Sequence, residues 1–129
     1  MNSKALGLLA LGLVAGSIFV VTLSGADPRA TPAATSPLVT FVELGSVKCI
    51  PCKMMQPVMA AIEKEYAGQV KVVFHDVWTA EGKPFGAQYK IRVIPTQVFL
   101  DKNGTEYYRH EGFFPKEELV KILQQKGVK

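Results

Sequence analysis

The amino-acid sequence predicts an α/β domain with the element order βαβαββα, in which a mixed four-stranded sheet is flanked by helices. Three observations support this class. Short β-branched apolar runs are typical of buried strands. A stretch with helical spacing joins the first two runs, and an Asn-Gly pair joins the last two. A helical connection makes the first two strands parallel, and a tight hairpin makes the last two antiparallel.

The same patterns place each element along the chain. Strands are predicted at 38–44, 70–76, 96–100 and 105–111, and helices at 51–66, 83–89 and 116–125. In the first helix, Pro57 predicts a kink, and helical spacing predicts that these residues face the core: Met54, Met55, Val58, Met59, Ile62 and Tyr66. Gly68 ends this helix. Asn103-Gly104 forms the hairpin turn, because both residues tolerate the positive φ angles that a tight turn requires.

The first third of the chain has a different composition. After Lys4, residues 5–23 form an uncharged apolar run, which is typical of a secretory signal peptide or of an uncleaved membrane anchor. Residues 1–23 are therefore predicted to be either a signal peptide or an N-terminal membrane anchor. Residues 24–37 are rich in Pro, Ala, Ser and Thr and are predicted to be a tether to a folded domain at 38–129. Both alternatives export that domain, either anchored in the membrane facing the periplasm or cell exterior, or free in the periplasm after cleavage.

Charge and cysteine content narrow the range of possible functions. The net charge is +4, and the basic residues form no clustered stripe of the kind that binds nucleic acid, so no nucleic-acid partner is expected. The two cysteines, Cys49 and Cys52, lie three residues apart. A disulfide that closes so small a loop adds little to stability. The pair is therefore predicted to be redox-active rather than a structural cross-link.

The segment Cys49-Ile50-Pro51-Cys52 stands where a predicted strand gives way to a predicted helix. Unpaired N–H groups and the helix dipole at that point lower the pKa of the Cys49 thiol. Cys52, one turn further into the helix, is placed to resolve a mixed disulfide. Half of a zinc site is the alternative, but structural zinc sites use four ligands and only two scattered histidines accompany the cysteines. We therefore predict no metal.

Residues 38–129 resemble the thioredoxin family. Cys49-Ile50-Pro51-Cys52-Lys53 resembles the family's Cys-Gly-Pro-Cys-Lys, Pro57 stands where thioredoxins kink the active-site helix, and Arg92-Val93-Ile94-Pro95-Thr96 resembles Arg-Gly-Ile-Pro-Thr. The resemblance implies a thioredoxin-like fold. We expect a minimal form of it, because the predicted tether leaves no room for the family's first strand and helix. The resemblance also implies a cis Pro95 beside the disulfide, and no cofactor beyond the redox-active Cys49–Cys52 pair. Four residues are then expected to contact substrate: Ile50, Pro51, Ile94 and Pro95.

Glu43 lies six residues before Cys49 in an otherwise apolar strand, where thioredoxins carry a buried Asp. If Glu43 is buried, its raised pKa would let it take the proton from Cys52 during catalysis. The alternative is that Glu43 faces solvent on a half-exposed strand. Val72 stands where thioredoxins have a Lys paired with that Asp. Lys48 replaces the Trp that precedes the first Cys, and it either stabilises the thiolate or is a solvated loop residue.

The resemblance implies a protein-disulfide oxidoreductase that acts on disulfides of exported proteins. A proline just before the second cysteine, here Pro51, resembles the arrangement in reducing thioredoxins. We therefore expect a reductant that serves cytochrome c maturation or another periplasmic thiol pathway. A membrane thiol-reductant conduit is the expected electron donor. The membrane itself is an expected partner through the N-terminal segment, and the domain is expected to be a monomer. The alternatives are a thiol oxidase of the same fold, a Cu(I) carrier that uses both thiolates, and a redox-inert docking domain.

Overall fold

The computed structural model describes residues 36–129, and within this range the elements follow the predicted order. The strands are β1 (Val39–Gly45), β2 (Val70–Asp76), β3 (Thr96–Asp101) and β4 (Glu106–Glu111). The helices are α1 (Ile50–Glu65), α2 (Lys83–Gln88) and α3 (Lys116–Gln124). Each end lies within one residue of its predicted position. The predicted signal peptide or anchor, and all but the last two residues of the predicted tether, lie outside the described residues.

The four strands form one mixed sheet in the order β2-β1-β3-β4. β1 is parallel to β2 and antiparallel to β3, and β3 is antiparallel to β4 with an irregularity between Phe99 and Leu100. The expected mixed four-stranded sheet flanked by helices is confirmed. Because β1 has a neighbour on both sides and is covered on both faces, six of its seven residues are buried.

The two faces of the sheet carry separate apolar clusters, because side chains alternate along each strand. On one face, Val39, Phe41 and Phe99 pack with buried residues of α1 and α3 in the larger cluster. On the other face, Val42, Leu44 and Val98 form a smaller cluster, covered by half-buried residues that include Phe85 and Tyr89 around α2. Glu43 shares the α1 face with Phe41.

Helix α1 directs one side into the larger cluster. Its buried residues are Cys52, Met55, Val58, Met59 and Ile62. The prediction that Met54 also faces the core is wrong, because its side chain is 50% exposed. A repeat of 3.6 residues places Met54 one position away from the buried side that Met55 occupies. Pro57 lies inside the helix on its exposed side.

The predicted turns and the predicted proline conformation are both present. Gly68 and Gly104 have positive φ angles of 79° and 77°, which glycine adopts without a steric penalty. The peptide bond between Ile94 and Pro95 is cis, as the resemblance implied. Across residues 36–129, no helix is both long and apolar enough to span a membrane.

Candidate active site

Cys49 and Cys52 are joined by a disulfide at the start of α1, with Cα atoms 5.2 Å apart. The Cys52 side chain is completely buried, whereas Cys49 keeps 8% of its surface exposed. The Cys49 sulfur accepts a hydrogen bond from the Cys52 backbone N–H at 3.3 Å. Cys49 is therefore the less buried of the two cysteines, and its sulfur lies against the helix N-terminus. This arrangement agrees with a nucleophilic Cys49, although the roles of the two thiols stay predictions.

Asp76, at the end of β2, holds the loop that leads into the redox pair. Its carboxylate accepts hydrogen bonds from the Val47 N–H at 3.1 Å, the Ser46 hydroxyl at 3.3 Å and the Trp78 N–H at 3.1 Å. The hydrogen bond from Val47 is the largest of the influences that lower the pKa of Asp76. Sequence reasoning missed Asp76. The available signal was an acidic residue directly after an apolar strand, at the edge of the sheet where β1 also ends.

Gly45, the last residue of β1, lies directly against the inner cysteine. A Cβ atom at this position would be 3.2 Å from both the Cβ and the sulfur of Cys52. That distance is shorter than ordinary van der Waals contact, so the absence of a side chain lets Cys52 approach the strand closely. The inner sulfur is thereby placed on the same face of β1 as Glu43, one side-chain repeat further along the strand.

Glu43 is completely buried, so the alternative in which it faces solvent is wrong. Burial raises the pKa of this carboxyl to about 8, and the nearby Gln97 amide opposes part of that rise. On β2, the residue paired with Glu43 is Phe74, and Val72 lies one repeat away on the same face. This neighbouring strand therefore places apolar residues, and no lysine, beside the carboxyl. This environment agrees with the expectation of a raised pKa without a salt bridge, and the catalytic role of Glu43 stays a prediction.

Gln97 is the neighbour of Glu43 on the other side, in β3. Its side chain is also completely buried. The Glu43 carboxyl oxygens and the Gln97 amide O and N have no hydrogen-bond partner in the described part of the chain. Sequence reasoning missed Gln97 as well. It carried the same signal as Glu43, a polar residue inside a run that otherwise reads as a buried strand.

The register places the residues expected to contact substrate at the same end of the sheet as the disulfide. Leu44 pairs with Thr96, so Pro95 lies opposite the end of β1 where Gly45 contacts the inner cysteine. The Pro95 carbonyl accepts a hydrogen bond from the Gly112 N–H at 2.8 Å. Exposed apolar side chains lie on the loops and first helical turns at this end: Val47, Ile50, Met54, Trp78, Val93 and Phe113. Of these, Ile50 is the most exposed, at 75%.

Comparison with known proteins identifies the family. Residues 26–127 match the family described as "Thioredoxin-like domain". The chain belongs to this thioredoxin-like family. Thioredoxin of Haemophilus influenzae is 39% identical over 77 residues, which cover 60% of this chain and 69% of that protein. Thioredoxin of Staphylococcus aureus is 32% identical over 87 residues, which cover 67% of this chain and 81% of that protein.

Solved structures show the same fold. Chloroplastic thioredoxin z superposes with a TM-score of 0.63 at 26% identity, covering 74% of this chain and 84% of that one. A malarial protein superposes with a TM-score of 0.62 at 19% identity, covering 70% of this chain and 98% of that one, and at that identity it indicates the fold alone.

This thioredoxin-like protein is a thiol–disulfide oxidoreductase with a Cys49–Cys52 pair. Members of the family use a redox-active cysteine pair and no cofactor. Within residues 36–129, no group of three or more His, Cys, Asp or Glu side chains is arranged to hold a metal ion. The two histidines are strand residues whose rings stack on aromatic neighbours, His75 on Phe85 and His110 on Phe114.

Proposed function

We propose that this thioredoxin-like oxidoreductase reduces disulfides of exported proteins by dithiol/disulfide exchange. The Cys49 thiolate attacks one sulfur of the substrate disulfide, which forms a mixed disulfide and releases the first substrate thiolate. Cys52 loses its proton and attacks the Cys49 sulfur, which releases the second substrate thiolate and leaves the Cys49–Cys52 disulfide. The two protons of the dithiol end on the two substrate thiols. A reducing partner then restores the dithiol.

The observation that supports the reducing direction is the small number of hydrogen-bond donors around the Cys49 sulfur. It accepts the backbone hydrogen bond from Cys52, and the described residues supply no side-chain donor. A strong thiol oxidant owes its potential to a strongly stabilised reduced form. The buried Glu43 carboxyl, which has no hydrogen-bond partner among the described residues, does not stabilise a thiolate either. Pro51 supports the same direction, because reducing thioredoxins also resemble this sequence in having proline just before the second cysteine.

Glu43 is proposed to accept the Cys52 proton in the resolving step. It lies on the face of β1 against which Cys52 packs, and with a pKa of about 8 it is close to a thiol in proton affinity. A base whose pKa lies near the working pH transfers protons efficiently in both directions. We expect Glu43→Gln to leave the first attack by Cys49 intact and to slow resolution, by at most about 10²–10⁴.

Substrate is proposed to lie along Ile94 and Pro95, with Ile50 and Pro51 on the other side of the disulfide. The backbone groups of Ile94 make no backbone hydrogen bond within the described residues, so an extended substrate segment can pair with them. Such pairing gives affinity with little demand on the substrate sequence. The exposed apolar side chains around the site favour substrates that are partly unfolded and that present apolar residues beside their disulfide.

The proposed location is outside the cytoplasmic membrane, anchored by residues 1–23 or free in the periplasm after their cleavage. The apolar run that follows Lys4 supports this proposal. A membrane thiol-reductant conduit would then supply electrons, with cytochrome c maturation as one pathway of use. Fractionation of cells that make the full chain tests the location. Recovery from the membrane or the periplasm supports it, and recovery from the cytosol alone refutes it.

The reduction potential of the Cys49–Cys52 pair tests the direction. Equilibration of the protein with defined glutathione redox buffers should give a value close to the potential of thioredoxin, about −270 mV. A value close to about −120 mV would instead indicate a thiol oxidase. Insulin reduction with dithiothreitol as electron source provides the activity assay, and Cys49→Ser is the inactive control. Normal potential without any turnover of insulin would contradict general disulfide reduction.

A further inference from the structure

The Glu43 carboxyl and the Gln97 amide form an isolated polar pair inside an apolar part of the core. The two residues are directly paired between β1 and β3, and both are completely buried. Their four polar side-chain atoms lack partners in the described structure. Leaving buried polar groups unpaired costs about 1–3 kcal/mol for each group. A cost of this size implies that the pair has a role besides packing.

The chemistry of an amide suits a carboxyl that changes its protonation state. A protonated carboxyl has an O–H to donate, and the amide oxygen of Gln97 can accept it. A carboxylate only accepts, and the amide NH₂ can donate to it. A half-turn of the amide exchanges these two roles without moving the backbone. A leucine in place of Gln97 would offer no hydrogen bond to either protonation state of the Glu43 carboxyl, and a lysine would favour only the carboxylate.

We infer that Gln97 is a positioning residue for the resolving step: the two side chains are not hydrogen-bonded in the oxidised structure, and rotation of the Gln97 amide pairs it with the Glu43 carboxyl in either protonation state during that step and keeps the carboxyl directed at Cys52. The inference rests on the proposed proton transfer from Cys52 to Glu43. The Gln97 amide does not itself take up or release the transferred proton. It acts through Glu43, by preventing the carboxyl from turning away and by limiting the penalty when the carboxyl ionises.

The other groups on this side of the sheet leave Gln97 as the partner of the carboxyl. From α1 the titratable neighbour is the Cys52 thiol, and β2 presents Phe74 and Val72. The buried residues of α3 are the aliphatic Leu119, Ile122 and Leu123. On β4, the residue paired with Gln97 is His110, which is one strand further from Glu43. The His110 ring stacks on Phe114, and its Nε2 lies 3.2 Å from the Phe113 carbonyl oxygen.

The test compares the pH dependence of the two catalytic steps. The reduced full-length protein is mixed with one equivalent of dithiobis(nitrobenzoate), whose coloured thiolate is released first by Cys49 and then by the resolving attack of Cys52. In Gln97→Met, which keeps the length of the side chain and loses its hydrogen bonding, the midpoint of the second phase should move upward by about one pH unit. At neutral pH this corresponds to a resolving step slowed by about tenfold, with the first phase unchanged.

Two control variants separate this inference from the proposed function. Val98→Ala removes buried volume from the adjacent residue, whose side chain belongs to the cluster on the opposite face, and should leave the midpoint in place. Glu43→Gln should remove the carboxyl-dependent part of the pH profile. If Glu43→Gln and wild type have the same profile, the proposed role of Glu43 fails. If they differ but Gln97→Met keeps the wild-type midpoint, the inference about Gln97 alone is overturned.

A measurement on the unmodified protein covers the case in which Gln97→Met does not fold. In isotope-edited NMR of the reduced wild-type protein, the Gln97 side-chain amide signals should titrate with the same midpoint as the Glu43 carboxyl. Shared titration supports the exchange of hydrogen-bond roles. Gln97 signals that stay constant while Glu43 titrates would overturn the inference.

Discussion

Burial of Glu43 should make the stability of the fold depend on pH in a way that one substitution removes. The carboxyl has a pKa of about 8 in the folded protein, against an ordinary value of 4.5. Between these values the folded chain keeps a proton that the unfolded chain has released. The free energy of unfolding therefore decreases as the pH rises through this window, by about 1.4 kcal/mol per pH unit. Below pH 4.5 Glu43 is protonated in both the folded and the unfolded chain, so its contribution to the free energy of unfolding is fully present.

The predicted magnitude follows from that slope. Between about pH 5 and about pH 7.5, wild type should lose about 3 kcal/mol of stability through Glu43. No reduction for solvent screening applies, because the side chain has 0% exposure. Glu43→Gln has no proton to lose, so the stability of the variant minus that of wild type should increase by the same amount over this range. Urea unfolding of the oxidised proteins at several pH values measures the difference.

The comparison is specific to the buried carboxyl, because the titration of all other groups cancels between the two proteins. Glu81→Gln provides the matched control, since it removes a carboxyl that is exposed, and its stability should parallel that of wild type. Parallel curves for Glu43→Gln and wild type would refute the reasoning. They would mean that the folded protein gives water or a cation access to Glu43.

The remaining predictions concern the thiols, the contact beneath them and the domain boundary. Cys52→Ser should trap substrates as mixed disulfides on Cys49. Alkylation of the reduced wild-type protein, read out by mass spectrometry, should label Cys49 first. Preferential labelling of Cys52 would reverse the roles of the two thiols. Gly45→Ala should cost about 1–3 kcal/mol in urea unfolding, because its Cβ would lie 3.2 Å from the Cys52 sulfur; unchanged stability would show that Cys52 can withdraw freely. A chain that begins at Leu38 should fold and reduce insulin, and loss of its circular-dichroism transition would place part of the tether inside the domain.

Local features were predictable because their causes are local. The bounds of α1, the Asn103-Gly104 turn and the position of the Cys49–Cys52 pair depend on residues near one another in the sequence. Side-chain periodicity, glycine conformations and helix-start chemistry act over only a few residues. The cis bond before Pro95 was also expected, but through resemblance to a family rather than through any local pattern.

Burial depends on what packs against a residue, and this is why the sequence left Glu43 open. An acidic residue in an apolar strand can face solvent or core, and only the cover that α1 and the neighbouring strands provide excludes water from it. Gln97 and Asp76 were missed for the same reason, since their importance comes from partners on other strands or loops. Met54 was wrongly placed in the core because it lies at the margin of the buried side of α1.

The sequence by itself determined the order of the elements and the redox pair, because these follow from spacing along the chain. Only the tertiary structure decided which neighbours surround Glu43. β1 lies between β2 and β3, so its carboxyl has Phe74 on one side and Gln97 on the other. Those neighbours are distant in sequence. Burial among them raises the proton affinity of Glu43 that the proposed mechanism uses, and the Gln97 amide opposes part of that rise.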